Sequence, residues 1–223
     1  MSIYHLHIPR TSGVFIREEM IKRTNKPMFV GHRDPIPESF DGHEHLSGHF
    51  ATNPVKSFDI NFAMYREPVS LTFSYISYMK DNFYPHLSVD QLIDNYIVTD
   101  KIKNFVNINS KFLTGEMDYA KYNEMITDLQ TVAESCWYVT SDCNDLQLFV
   151  ETIQKNNTIL IDYNDEQKYE KISKLYGVDY RDIVINRSSE IENTVLSKYK
   201  NLISELNSFD LEVYEYLKSK NSR

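Results

Sequence analysis

Apolar and polar positions alternate at the start of the chain. Tyr4, Leu6 and Ile8 fall on one side, His5 and His7 on the other, and Ile3 adds apolar content. A period of two predicts a short β-strand. Residues 9–13, Pro-Arg-Thr-Ser-Gly, break it. Over residues 14–24 the spacing changes, with Phe15, Ile16, Met20 and Ile21 recurring at helical intervals among charged residues. Strand, tight turn and helix make the first half of a βαβ unit. The pattern returns at residues 58–65, where Phe58, Ile60, Phe62 and Met64 predict a second core strand. That strand ends at Arg66-Glu67-Pro68. Proline suits the first turn of a helix, and the helical pattern runs on through Leu71, Phe73 and Ile76 to about Lys80.

Between these two units, residues 25–57 show no clear period. They are rich in proline and glycine and hold four of the seven histidines: His32, His43, His45 and His49. A loop of this length predicts a functional segment. Beyond Ser88 the helical period dominates, over residues 89–98, 101–105 and 119–133. Cys136-Trp137-Tyr138-Val139-Thr140 predicts another buried strand, and Asp142 or Asn144 is placed to cap a helix that continues to Ile153. Residues 158–162 predict an extended segment, residues 166–176 a helix closed by Gly177, and residues 189–206 and 209–218 two terminal helices. Strands alternating with helices predict an α/β fold: a single domain over residues 1–223 with a mainly parallel central sheet flanked by helices.

Composition narrows the function. With 41% hydrophobic and 25% charged residues the chain should fold around a real core. A net charge of −8 argues against a non-specific nucleic-acid binder, yet leaves room for a small anion held by a few local arginines. The two cysteines, Cys136 and Cys143, form neither a disulfide framework nor a zinc pattern and read as small apolar residues. No apolar run approaches the roughly 20 residues of a membrane span. No signal peptide is read ahead of the first strand, so a soluble, cytoplasmic protein is the expectation. The tripeptides at 156–158 and 186–188 match glycosylation acceptors, which carry no weight without secretion.

In parallel α/β sheets ligands bind beyond the carboxyl ends of the strands, and both arginine turns fall there. At residues 9–13 the amides of a tight turn and of a helix start have no partners of their own, which makes an anion cradle. Arg10 adds charge, Thr11 and Ser12 add hydroxyls, and Gly13 completes the turn. The Walker string G-x-x-x-x-G-K-[ST] is absent. At the second turn Arg66 precedes a helix that carries Ser74, so that a guanidinium fork and a hydroxyl could share one phosphate. An ordinary βα turn and a structural ion pair of Arg66 are the alternatives.

Together these residues carry a resemblance. His7-Ile8-Pro9-Arg10-Thr11-Ser12-Gly13 resembles the "HIPKTGG" turn of sulfotransferases, and Arg66-Glu67-Pro68-Val69 with Ser74 resembles their "RDPVERFLS" element. Asn109-Ser110-Lys111-Phe112-Leu113-Thr114-Gly115 is similar to "QTRFLCG", Trp137-Tyr138-Val139-Thr140 to "VGLTE", Asn186-Arg187-Ser188 to "NRT", and residues 207–216 to "NALDIELYEYA". The closest likeness is to carbohydrate sulfotransferases of the group that includes the uronyl 2-O-sulfotransferases. The resemblance implies a P-loop-kinase-like sulfotransferase fold and the donor PAPS (3′-phosphoadenosine 5′-phosphosulfate). It places the 5′-phosphosulfate at residues 10–13 and the 3′-phosphate at Arg66 and Ser74. It also implies a hydroxyl acceptor on a carbohydrate and a mechanism that needs no metal. Arg10 stands where the family usually has lysine, and Ser12 where it often has glycine. The Golgi anchor of the animal enzymes is not found, which points to a soluble bacterial or viral type.

Sulfuryl transfer needs a base for the acceptor hydroxyl and positive charge at the leaving phosphate. The family's base is a histidine in a "GHV" or "GHF" string between the donor motifs, and Gly48-His49-Phe50 matches it. His49 is therefore the first candidate, with His45 and His43 behind it. His43, His45 and His49 could also be read as a zinc set, although no cysteine or well-spaced carboxylate completes it. His32-Arg33-Asp34 imitates a kinase string out of order. At least one of His5 and His7 reads as a structural histidine. Two further readings are a kinase-like phosphoryl transferase using the same anion turn, and a nucleotide- or glycan-binding module without catalysis.

Overall fold

A computed structural model describes residues 1–31, 35–37, 39–51, 57–179 and 193–221. His32-Arg33-Asp34 and Asn186-Arg187-Ser188 lie outside the described residues. The chain is α/β. Its main sheet has five strands: β1 (Ile3–Leu6), β2 (Met28–Gly31), β3 (His45–Gly48), β4 (Ile60–Tyr65) and, later in the chain, β7 (Thr158–Asp162). They stand in the order β2-β3-β1-β4-β7, and every neighbouring pair is parallel. β1 is thus central, with β3 on one side and β4 on the other. The carboxyl ends of all five strands share one edge.

Both faces of this sheet are covered, as parallel sheets require. Tyr4, Leu6, Leu46 and Ala63 join one core with Phe73, Tyr75, Leu92 and Phe112. Ile3, Phe62 and Met64 join a second core with Ile16, Met20, Ile21 and Ile172. This explains an unexpected feature of β1: its polar-looking face, which carries His5, is as buried as its apolar one.

After β1 the chain enters α1 (Gly13–Phe15), which widens into a π-helical stretch at Ile16–Ile21 and tightens into a 3₁₀ turn at Lys22–Thr24. After β4 comes α2 (Pro68–Phe83). Pro68 occupies its first turn, and the Glu67 carboxylate accepts from the Val69 and Ser70 amides. α3 (Val89–Val98) opens with a capping box between Ser88 and Gln91. α4 (Ile108–Thr114) leads to a small antiparallel pair, β5 (Glu116–Met117) with β6 (Val139–Thr140). α5 (Tyr119–Met125) and α6 (Leu129–Glu134) lie between those two strands. α7 (Leu146–Lys155), α8 (Lys168–Tyr176), α9 (Asn193–Leu206) and α10 (Ser208–Asn221) complete the chain.

Several expectations need correction. The stretch at residues 25–57 is no single loop, because it contains β2 and β3. Strands of four residues covered on both faces need no alternation, and His45 and Ser47 hide the second of them. The expected strand at 136–140 is mostly a left-handed turn: Cys136, Trp137 and Tyr138 have φ of 51°, 63° and 56°. Only Val139 and Thr140 pair, and they do so outside the main sheet. The expected helix at 119–133 breaks in two because Asp128 turns back to cap Thr131. Asp145, and neither Asp142 nor Asn144, caps α7. Gly177 closes α8 as expected, at φ 66°.

Candidate active site

The carboxyl edge gathers the end of β1, the end of β3 and the end of β4. Beyond Leu6 the chain turns at residues 9–13. Arg10 and Ser12 are held in the left-handed region, at φ 67° and 68°. Each such non-glycine residue costs on the order of 1–3 kcal/mol and persists only where its surroundings hold it. Thr11 does part of the holding: it is fully buried, and its hydroxyl donates to the Ile8 carbonyl at 2.6 Å. The Thr11 side-chain proton is thereby spent on the turn itself. Ser12 stands just ahead of α1 and makes no side-chain cap bond.

Arg10 reaches across to α2. Its Nε donates to Ser74 Oγ at 3.3 Å, and its guanidinium lies over the Tyr78 ring at 5.4 Å. Arg66, at the end of β4, donates from Nε to Ser70 Oγ at 2.8 Å and from Nη1 to the Arg10 carbonyl at 3.3 Å. Its guanidinium covers Tyr163 at 4.6 Å. The two turns therefore converge, with a different pairing from the one expected. Ser74 serves Arg10, while Ser70, one helical turn earlier, serves Arg66.

Neither guanidinium makes an ion pair among the described residues. The nearest acidic group in sequence, Glu67, is turned onto the α2 amides. Burial pushes Arg10 down from its ordinary value, against the pull of Tyr78 and Tyr163. Burial does the same to Arg66, with Tyr163 opposing and Arg10 adding its repulsion. Arginine stays protonated under such shifts. Asp81 attracts Arg10 and Glu67 attracts Arg66 without forming an ion pair, and the mutual repulsion of the two half-buried guanidiniums favours an anion beside them.

His49 follows β3 directly. It is 4% exposed, and its Nδ1 lies 2.7 Å from the His7 carbonyl oxygen. That oxygen can only accept, so Nδ1 carries the proton and the neutral ring has its lone pair on Nε2. The ring is clamped between His7, with centroids 4.3 Å apart, and Trp137 at 4.2 Å, with Phe112 edge-on at 5.8 Å. His7 in turn packs against Gly13 so closely that a Cβ there would lie 1.9 Å from His7 Nε2. One imidazole thus separates His49 from the start of α1 at Gly13.

The other histidines lie elsewhere. His5 is fully buried and bonded through Nδ1 to Ser47 Oγ at 2.8 Å, a structural role. His45 is the first residue of β3, in register with Ile3, at the amino edge of the sheet. His43 precedes it, with Nδ1 3.3 Å from the Phe40 carbonyl. Neither shares an edge with His49, so the three do not converge on one point. Among the described residues no group of three His, Cys, Asp or Glu is placed to hold a metal ion.

Four site residues escaped the sequence reading. Ser70 lies in the first turn of α2, four positions after Arg66, which itself precedes the helix, so no helical spacing pairs them. Tyr163 follows the end of β7 and carries only the weak signal of its strand end. Asn109, which grips the Arg66 backbone, and Trp137, set by a left-handed turn without glycine, had no local signal of these roles. No protein-family model, no curated protein and no solved structure matches the chain.

Proposed function

We propose that the protein is a PAPS-dependent sulfotransferase that moves a sulfuryl group to a hydroxyl, with a carbohydrate as the acceptor class. The observation that carries this reading is the pair of half-buried guanidiniums, Arg10 and Arg66. They lack any ion-pair partner among the described residues and sit at the ends of adjacent parallel strands. Two such charges suit a ligand with two separate anionic groups. The fixed His49 tautomer beside the same turn supports a base aimed at an acceptor. The ordered sequence resemblance selects sulfuryl over phosphoryl transfer.

In this reading Arg66 and Ser70 hold the 3′-phosphate. Arg10, Ser12 and the turn amides hold the 5′-phosphosulfate, with Ser74 orienting Arg10. The acceptor oxygen attacks sulfur in line. The bond from sulfur to the bridging oxygen breaks, and its electron pair leaves on adenosine 3′,5′-bisphosphate beside Arg10. His49 Nε2 takes the hydroxyl proton, and the resulting imidazolium keeps its Nδ1–H on the His7 carbonyl. Stacking on His7 and Trp137 fixes the ring plane, so little orientation is lost when the acceptor arrives.

The test is transfer of labelled sulfate from PAPS to a panel of mono- and oligosaccharides, with His49→Ala alongside. Loss of a general base costs about 10²–10⁴ in rate. The reading requires labelled product from the wild type and a loss of that order in the variant, with near-normal binding of adenosine 3′,5′-bisphosphate. Donor binding without turnover on any acceptor would favour a binding module of the same fold.

A further inference from the structure

A fully buried carboxylate lies outside the site, on α10, with Lys111 as a cation that attracts it. Asp210 is fully buried, and among the described residues it makes no ion pair. Its two carboxylate oxygens accept instead from successive backbone amides at the start of α4: Asn109 N–H at 2.8 Å and Ser110 N–H at 2.9 Å. Burial raises this carboxyl and the bonds from Ser110 and Asn109 oppose the rise. Both oxygens accepting from N–H donors is the arrangement of a carboxylate. Such a group is expensive to bury and is retained where it fixes geometry.

The geometry it fixes is that of Arg66. Asn109, 2% exposed, donates from Nδ2 to the Arg66 carbonyl at 2.8 Å and accepts the Arg66 amide on Oδ1 at 3.3 Å. One residue therefore holds α10 with its main chain and clamps both main-chain groups of Arg66 with its side chain. The same helical corner is tied down at two more points. Asn207, between α9 and α10, accepts the Asn107 amide at 2.8 Å and donates to Thr72 Oγ1 on α2 at 3.2 Å. The Asp210 amide donates to Asn107 Oδ1 at 3.2 Å, with Asn107 held at φ 51°. Arg66 stands at a strand end, where the β ladder no longer constrains it, and its long side chain amplifies any rotation of its backbone.

We infer that Asp210 and Asn109 are positioning residues for Arg66, so that the carboxyl-terminal helical pair sets the affinity of the anion site. Neither residue touches the ligand. The effect on a nucleotide rests on the donor-binding reading above, whereas the effect on the Arg66 backbone does not.

Two measurements test this separately. The first is amide hydrogen exchange at Arg66 in the ligand-free chain. A lost backbone bond should make it about 3- to 10-fold faster in Asp210→Asn and in Asn109→Ala. Val213→Ala, a buried truncation on α10 outside this network, should leave it unchanged. The second is calorimetric affinity for adenosine 3′,5′-bisphosphate. Both variants should weaken it about 3- to 20-fold, as contacting residues couple, change AMP little, and add nothing in an Arg66→Ala background. Asn109→Ala keeps the carboxylate and its two amide bonds, so it carries the test if Asp210→Asn does not fold. Unchanged exchange at Arg66, or equal effects from Val213→Ala, would overturn the inference. Accelerated exchange with no discrimination between bisphosphate and AMP in Arg66→Ala would uphold the relay and sink the donor-binding reading alone.

Discussion

Gly13→Ala should damage the site although no ligand group is removed. Gly13 opens α1 and is not in the left-handed region, so its backbone accepts alanine without strain. Propensity alone would then make the change favourable by up to about 1 kcal/mol. Space decides against it. The new methyl would lie 1.9, 2.0 and 2.4 Å from three atoms of the His7 ring. Carbon contacts settle at about 3.5–4.0 Å, so the ring must retreat by roughly 1.5 Å or more. It has little room, being stacked on His5 at 5.4 Å and on His49 at 4.3 Å. Overpacking of this kind costs about 1–3 kcal/mol. For a chain of this size each kcal/mol lowers Tm by about 2–4 °C, so thermal melts should show a loss of roughly 2–12 °C. His49 shares the stack, and a displacement near 1 Å can cost about 10²-fold in turnover. Removing the ring first should remove the clash: in a His7→Ala background, Gly13→Ala should cost far less. A wild-type Tm for Gly13→Ala, or an equal loss in both backgrounds, would refute the packing argument.

Three further outcomes follow from the same geometry. Arg10→Ala should lower turnover more than it weakens adenosine 3′,5′-bisphosphate, because its contact strengthens as charge develops on the leaving oxygen; a change confined to the donor KM would make Arg10 an anchor only. His49→Ala should lose about 10²–10⁴ in rate while His43→Ala and His45→Ala, at the other edge of the sheet, stay near wild type; steady-state kinetics on one acceptor decides among them. His45 has its ionisation pushed down chiefly by burial. The folded state then binds fewer protons than the unfolded one, so stability is full above the ordinary histidine value of about 6.5 and falls as pH drops below it. His45→Leu should flatten that part of the stability profile, and denaturant melts between pH 5 and 7 read it; an unchanged slope would contradict the assignment.

The elements that the sequence made plain are those with a long period or a stop signal. α2 and α3 follow from their apolar spacing, and α2 also from Pro68. Gly177 marks the end of α8 because its φ of 66° suits glycine best. The two arginine turns were visible because a strand period of two gave way to a helical one at each. β2 and β3 were not: both are only four residues long, and β3 is buried on both faces and so shows no alternation. The left-handed run at Cys136, Trp137 and Tyr138 was invisible for a related reason: tertiary contact with His49 holds what local preference disfavours. The grip of Asn109 on Arg66, and of Asp210 on Asn109, joins residues far apart in the chain, and no single-segment pattern reports it.

The central claim is that Arg10 and Arg66 form a site for two anionic groups of one nucleotide. Calorimetric titration of the wild type and Arg66→Ala with adenosine 3′,5′-bisphosphate and with AMP tests it most directly. A charge-assisted phosphate contact is worth about 1.5–3 kcal/mol, or about 10–100-fold. The account predicts that the wild type prefers the bisphosphate and that Arg66→Ala loses that much affinity for it and far less for AMP. Equal losses for both ligands, or a wild type that binds ATP in preference to the bisphosphate, would contradict it.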